Sequence, residues 1–357
     1  MSTTWFLDLS DLLELTEQLC AVPSVSGSEA ALADLVEASL RERAPNLEIT
    51  RVGANVIART NSGARERVVL GGHLDTVPAN GNATPRRVGD SVQGLGAADM
   101  KGGLAVLLAL AEMLGEAPGR DATLFFYDGE EVSDEHNGLR RLFAERPELV
   151  TGDLAILLEP TGGWIEAGCQ GTIHARATFH GARAHSARPW MGKNAVHAAA
   201  PMLARIAAHE APTVTVDGLD YRESLQVVRI EAGIAGNVVP DRCDIVVNRR
   251  YAPACSLDEA IAQTKALLHG ADDLEIVSAS PAAAPNLGHP LVADLISAGK
   301  LDVRPKLGWT DVSRFTQHGI AAVNYGPGDP ALAHTAGEFV ERSELDECLR
   351  VLANFVA

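Results

Sequence analysis

The sequence predicts an α/β protein in which a sheet domain is interrupted by a smaller α+β insertion. Three observations predict it. In the first half, runs that are apolar throughout (VVLGGHLDTV, TLFFYD and LAILLEP) alternate with helical patterns, and strands apolar on both faces belong to a sheet covered by helices on each side. From about Gly171 the strands alternate in polarity instead, and near IAAVNYGPG the apolar pattern returns. The chain has 357 residues, more than the ~100–200 of a typical single domain, which fits two.

Taken in order, DLLELTEQLCAV and EAALADLVEASLRERA carry apolar residues at helical spacing. The run Ser26-Gly27-Ser28-Glu29 has the form of a capping box before the second helix. The helical run MKGGLAVLLALAEMLGEA lies between the first two strands. In the insertion, TIHARATFHG, LQVVRIEAG and CDIVVNRRYAP read as strands, and NAVHAAAPMLARIAAHE and SLDEAIAQTKALLHG as helices. Two strand–helix–strand units of this length give a compact unit on an antiparallel sheet. SASPAAAPNLGHP, rich in Ala, Pro and Ser, reads as the connection back. The expected boundaries are residues 1–170 with 283–357 for the first domain and 171–282 for the insertion.

Composition excludes several classes of function. A formal net charge of -17 argues against a nucleic-acid surface, which needs clustered Lys and Arg. The five cysteines, Cys20, Cys169, Cys243, Cys255 and Cys348, form no C-x-x-C pair, so neither a thiolate zinc knuckle nor a disulfide framework is expected. The N-terminal MSTTWFLDLSDLLELTEQL is acidic and amphipathic, unlike a secretory signal. No run reaches the ~18 apolar residues of a membrane span. A cytoplasmic location, with no nucleic-acid or membrane partner, is the expectation.

Chemistry concentrates where strands end. FFYDGEEV runs an apolar strand into a knot of acids, with Glu130 and Glu131 adjacent and Asp128, Asp134 and Glu135 nearby. Carboxylates this close resist ionisation unless something positive offsets them. His73 and Asp75 end a second strand, Glu159 a third, and Asp99 stands before a helix; Asp311 and His334 follow far along the chain. Imidazole and carboxylate donors suit a divalent metal, zinc foremost, with cobalt or manganese admitted. Singly, each has an ordinary explanation: Asp99 fits a helix N-cap, Glu159 a turn before Pro160, and either histidine a satisfied polar residue.

The ordered set is more specific. GGHLDTVP, GLGAADMKGG, GEE, LEP, GARAHSARPWMGKNA, GNVVPD and the late AHT resemble the dinuclear-zinc amidohydrolases and exopeptidases, the family of aminoacylases, acetylornithine deacetylase, glutamate-releasing carboxypeptidases and succinyl-diaminopimelate desuccinylase. The resemblance spans Leu70 to Glu338. Within the family, CQGT, RAHSARPWMGKNA, AGNVVPD, NRRYAP and KLGWTDVSRF are most similar to the actinobacterial desuccinylases.

The resemblance implies an α/β/α catalytic domain with a ferredoxin-like lid and dimerisation domain, a homodimer, and two Zn2+ per subunit that Co2+ or Mn2+ can replace. It makes His73 and Glu159 ligands of one ion, Glu131 and His334 ligands of the other, and Asp99 the bridge. Asp75 then orients the His73 imidazole. Glu130 is the general base, and His185 reaches from the partner subunit to donate to the oxyanion. Arg250 and Asn237 bind the substrate carboxylate and Thr310 adds a contact; Arg249, on the other face of the same strand, reads as a solvated charge. Two departures bear on the acyl group. Cys169-Gln170 stands where some desuccinylases carry an arginine pair, with Arg188, where others have an aromatic residue, as the candidate replacement; and Thr335-Ala336-Gly337-Glu338 lacks basic residues often seen there. The implied reaction is removal of succinate from N-succinyl-LL-2,6-diaminopimelate, with another N-acyl-amino-acid deacylase or a dipeptidase as the alternative. A non-catalytic metal-binding relative is disfavoured by the complete ligand set. A serine hydrolase is disfavoured because no G-x-S-x-G elbow is present.

Overall fold

The computed structural model describes residue 7 and residues 11–115 and 118–357. Most of the first ten residues of the N-terminal amphipathic stretch, and the last two residues of the MKGGLAVLLALAEMLGEA run, lie outside the described residues. The chain forms two compact units, Met1–Ala167 with Asn286–Arg304 and Arg314–Ala357, and Gly168–Pro285 with Pro305–Ser313.

The first unit begins with α1 (Leu12–Ala21), α2 (Ala30–Arg43), β1 (Glu48–Val52), β2 (Asn55–Arg59), β3 (Arg67–His73), β4 (Arg86–Val88) and β5 (Ser91–Gln93). It continues with α3 (Gly102–Met113), β6 (Asp121–Tyr127), α4 (Gly138–Glu145), β7 (Leu154–Leu157) and β8 (Ile165–Ala167). The second unit holds β9 (Gly171–His180), α5 (Ala195–Ala207), the hairpin β10 (Thr213–Val216) and β11 (Leu219–Arg222), β12 (Ser224–Ala232), β13 (Arg242–Tyr251), α6 (Leu257–Leu267) and β14 (Asp273–Ser280). The chain ends with α7 (Pro290–Gly299), β15 (Val303–Pro305), α8 (Val312–Gln317), β16 (Ala321–Asn324), β17 (Phe339–Glu341) and α9 (Arg342–Val356).

Eight strands form the main sheet in the order β1-β2-β6-β3-β7-β16-β8-β15. Its centre is parallel, β3 pairing with β6 and β7, and β16 with β7. Both faces are covered, and the two glycines of β3 show how closely. A Cβ on Gly71 would lie 1.9 Å from the Phe125 ring, and one on Gly72 would lie 2.7 Å from the Met100 methyl. Successive residues face opposite sides of a sheet, so the aromatic layer and α3 each press directly on the backbone of the strand that ends in His73.

In the second unit the strands alternate as the sequence predicts: Ile173, Ala175 and Ala177 of β9 and Ile245 and Val247 of β13 are buried with Ala199 and Met202 of α5. The sheet order β12-β13-β9-β14, all antiparallel, with α5 and α6 as crossovers, is a ferredoxin-like arrangement. Pro305–Ser313 joins this unit because Gln170 donates to the Lys306 carbonyl, and Trp309 and Ser313 donate to the Pro281 carbonyl.

Three local expectations change. The S-G-S-E run forms no capping box: α2 starts without a side-chain cap, and Ser26 Oγ donates instead to Asp75 Oδ2 at 2.7 Å. The start of SASPAAAPNLGHP is strand, since Ser278 to Ser280 pair with β9 and the connection begins after them. Arg249 does face away from Arg250 but is buried, not solvated; its guanidinium donates to the Ala260 carbonyl, Thr264, Gln263 and Glu223. Beside Glu130 and Glu131, Asp128 pairs with Arg141 at 2.6 Å and the solvated Asp134 with Arg314 at 2.8 Å.

Candidate active site

Adjacent strands β6, β3 and β7 all point their carboxyl ends to one rim, where open α/β sheets place their sites. His73 ends β3; Glu130 and Glu131 follow β6 after the left-handed Gly129 (φ 69); Glu159 follows β7. Asp99 sits in the turn Ala97–Lys101 just before α3. It is not the N-cap: that position is Lys101, and the Asp99 carboxylate points to histidines instead.

Asp99 joins two groups of ligand atoms. His73, Asp99 and Glu159 offer atoms within 4.8 Å of one another, as do Asp99, Glu131 and His334, and as do His73, Glu130 and Glu131. His73 Nε2 lies 3.1 Å from Asp99 Oδ1, and His334 Nε2 lies 3.4 Å from Asp99 Oδ2 and 2.8 Å from Glu131 Oε1. His73 Nδ1 donates to the Asp75 backbone carbonyl at 2.9 Å, which leaves Nε2 as the atom that could bind a metal. A metal-binding histidine needs this kind of tether on its other nitrogen.

Asp75 does more than face the imidazole. Its carboxylate lies 3.6 Å from His73 Nδ1 and accepts the backbone N–H groups of Glu130 and Glu131, each at 3.0 Å, and the Ser26 hydroxyl. One buried acid thus fixes the end of β3 to the loop after β6. Glu338 acts comparably on the turn before α3: Oε1 accepts from Ala98 N and Asp99 N, and Oε2 from Gly96 N. Sequence reasoning missed these roles of Ser26 and Glu338, because their partners, the Asp75 carboxylate and the backbone amides of the turn before α3, lie far away in sequence.

Charge in the cluster is unbalanced. Burial disfavours a proton on His73, yet the Asp99 hydrogen bond and the Asp75 and Asp99 charges outweigh it and hold the pKa well above the ordinary value. Burial pushes Asp99 up, but bonds from His334 and His73 bring it below the usual carboxylate range. Burial raises Glu131. The acids therefore hold protons on the imidazoles unless a cation takes their place. Two imidazole nitrogens and several carboxylates, sharing Asp99, fit a pair of divalent ions of borderline hardness.

The remaining predicted residues belong to the second unit. His185 and Asn237 are brought together by backbone pairing: Ser186 N donates to the Asn237 carbonyl at 2.9 Å, and His185 bridges to Val238. Ala187 N donates to His185 Nδ1 at 3.0 Å, so the ring proton is on Nε2 and that atom is a hydrogen-bond donor. Arg188 is exposed at the turn after His185. Thr310 is buried, its carbonyl 3.7 Å from Cys169 Sγ. Arg250 lies on the outer face of β13, opposite Ser224 and Thr172. Burial lowers its pKa, and it has no carboxylate partner among the described residues.

Comparison with known proteins identifies the family. Residues 69–357 match the family described as Peptidase family M20/M25/M40. A Mycobacterium tuberculosis protein provisionally named succinyl-diaminopimelate desuccinylase is 47% identical over 352 residues, covering 98% of this chain and 99% of its own. The succinyl-diaminopimelate desuccinylase of Corynebacterium glutamicum is 44% identical over 358 residues, covering 98% and 97%. Among solved structures, an M20 family metallo-carboxypeptidase from Sulfolobus solfataricus superposes with a TM-score of 0.78 at 16% identity, covering 97% and 98%.

Proposed function

This chain belongs to peptidase family M20/M25/M40, and from that premise we propose that it hydrolyses N-succinyl-LL-2,6-diaminopimelate to succinate and LL-2,6-diaminopimelate. The observation that carries the reaction type is the pair of ligand groups sharing Asp99, with Glu130 beside them. The succinyl substrate rests on the two near full-length relatives that bear that activity in their names.

The proposed cofactor is two Zn2+ per subunit, held by His73 and Glu159 on one side, Glu131 and His334 on the other, and Asp99 between; Co2+ or Mn2+ could substitute. When bound, such ions lower the pKa of water from ~15.7 to about 7 and polarise a carbonyl. The chain's own residues do the rest. Glu130 takes a proton from the attacking water as its oxygen bonds to the amide carbon, then delivers that proton to the departing nitrogen as the C–N bond breaks. His185, with its proton on Nε2, donates to the oxyanion of the tetrahedral species. In this reading it comes from the partner of a homodimer, with residues 171–282 as the lid and dimerisation domain. Arg250, Asn237 and Thr310 hold the substrate's carboxylates, and Arg188 contributes at the rim. A planar guanidinium suits that task. The enzyme is proposed to work in the cytoplasm; no described helix is long and apolar enough to cross a membrane.

The deciding experiment assays purified protein against N-succinyl-LL-2,6-diaminopimelate, N-acetylornithine and simple dipeptides. Turnover of the succinyl compound should exceed that of the others by at least an order of magnitude. Activity confined to dipeptides would overturn the substrate assignment while leaving the hydrolytic mechanism intact.

A further inference from the structure

We infer that Glu338 is a positioning residue for the metal centre: it holds the turn that carries Asp99 and so sets where the shared carboxylate stands relative to His73 and His334. The inference rests on the metal-binding reading above. Four N–H groups of one loop converge on this single residue. Gly94 N donates to the Glu338 backbone carbonyl at 3.1 Å, Gly96 N to Oε2 at 3.1 Å, and Ala98 N and Asp99 N to Oε1 at 3.0 and 2.9 Å.

The loop is shaped for this. Gly96 adopts a left-handed conformation (φ 77), and a Cβ there would lie 2.8 Å from the Thr76 methyl. Asp99 itself is non-helical, at φ -118 and ψ 90. Its backbone is therefore outside the hydrogen-bond ladder of α3, and its N–H is met by Glu338. The carboxylate is buried, 2% exposed, where an unbonded charge would cost several kcal/mol. The three amides counter part of that cost, though burial still holds the Glu338 pKa above its ordinary value. An uncharged apolar side chain here would leave three donors unmet.

The same segment also supplies a ligand. His334 lies four residues before Glu338, in a left-handed conformation (φ 63). Thr335, between them, accepts from Glu338 N at 3.3 Å and from Asn82 Nδ2 at 3.2 Å through its carbonyl. One short stretch thus presents the His334 imidazole to Asp99 Oδ2 and ties down the backbone of Asp99. A residue that only glued two loops together would affect stability; this placement makes it control the geometry of the shared ligand.

The test replaces Glu338 with Gln and with Ala and titrates metal-free protein with Co2+, reading its visible absorption, together with melting of the metal-free forms. In Glu338→Gln one oxygen can still accept from Ala98 and Asp99, but the amide NH2 faces the Gly96 N–H, donor against donor. Folded Glu338→Gln should bind Co2+ about 10–100-fold more weakly, the range for residues that support metal ligands. Its absorption bands should shift, and kcat should fall with KM unchanged. Wild-type Co2+ affinity and absorption in folded Glu338→Gln would overturn the inference, even if its melting temperature dropped. Failure of both variants to fold would also overturn it, marking Glu338 as a residue of the fold alone. A wild-type chain that takes up fewer than two Co2+ would instead overturn the dinuclear reading beneath it.

Discussion

The strand-end cluster of the first unit and the outer face of the sheet in the second are both crowded with charge, but they neutralise it differently. On the sheet face the charges close in pairs: Arg176 with Glu275 at 2.6 Å, Arg242 with Asp244 at 2.6 Å, and Arg229 with Glu231. In the cluster, Asp75, Asp99, Glu130, Glu131 and Glu159 gather around the imidazoles of His73 and His334. Carboxylates outnumber imidazoles there, a balance that suits a cation. Arg250 is the counterpart on the sheet, a guanidinium without a carboxylate among the described residues and therefore one that wants an anion. Matched pairs serve the fold, and a surplus of one charge marks a candidate site.

The sharpest way to break that contrast is to remove charge from the cluster without removing a ligand. Glu130→Gln keeps the shape and the bond from its backbone N–H to Asp75. Turnover should fall by about 10²–10⁴-fold, the usual contribution of a general base, while metal content by elemental analysis stays at the wild-type value. Loss of metal along with activity would mean that Glu130 is a ligand, and the division of labour between the adjacent glutamates would be wrong.

Arg249 and Arg250 carry the comparison to neighbouring residues. Arg249 is buried against Glu223 at 3.4 Å, their side chains 8% and 10% exposed, so Arg249→Ala leaves an uncompensated buried acid. Breaking such a pair costs about 3–5 kcal/mol. The lower end applies here, because Glu223 also accepts from Ala252 N; denaturant melts measure it. Arg250→Ala strands no partner and should scarcely move the melt. It should instead lower kcat/KM for the succinyl substrate by roughly 10–100-fold, the equivalent of one or two bonds to a charged group. If the two variants exchanged these effects, unmatched charge would not be a guide to function in this molecule.

Much of this was legible in the sequence, and the parts that were not share a cause. The apolar runs ending in His73, Glu131 and Glu159 placed three candidate ligands on adjacent strands, and polarity alternation in TIHARATFHG and CDIVVNRRYAP announced the second sheet. Periodicity reports which face a side chain takes. It does not report what lies opposite. Arg249 was expected in solvent because an arginine on a strand usually is, and only α6 folding over it supplied Ala260, Gln263 and Thr264 as acceptors. Ser26 resembled a helix cap because the local run has that form, and a residue 49 positions away claimed its hydroxyl. Glu338 was invisible for the same reason, its partners being the backbone amides of a loop some 240 residues earlier.

The smallest expected effect concerns the protons that stand in for cations. In the metal-free protein the Asp99 hydrogen bond, reinforced by Glu131 and opposed by burial, raises the His334 pKa to about 9, against an unfolded value near 6.5. Because the folded value is the higher one, the stability this group contributes is fully present below about pH 6.5 and is lost as pH rises through about 9. His334 is half exposed, so solvent screening keeps the contribution modest. In metal-stripped protein the melting-temperature gap between wild type and His334→Asn should narrow steadily across that window. If His334 Nε2 is the proposed ligand, metal binding there must displace the same proton, so calorimetric titrations with Zn2+ in buffers of different ionisation enthalpy should show more proton release at pH 7 than at pH 9.5. Equal release at both would mean that His334 is already neutral at pH 7, and that the acids of the cluster are balanced in some way other than by protonating their histidines.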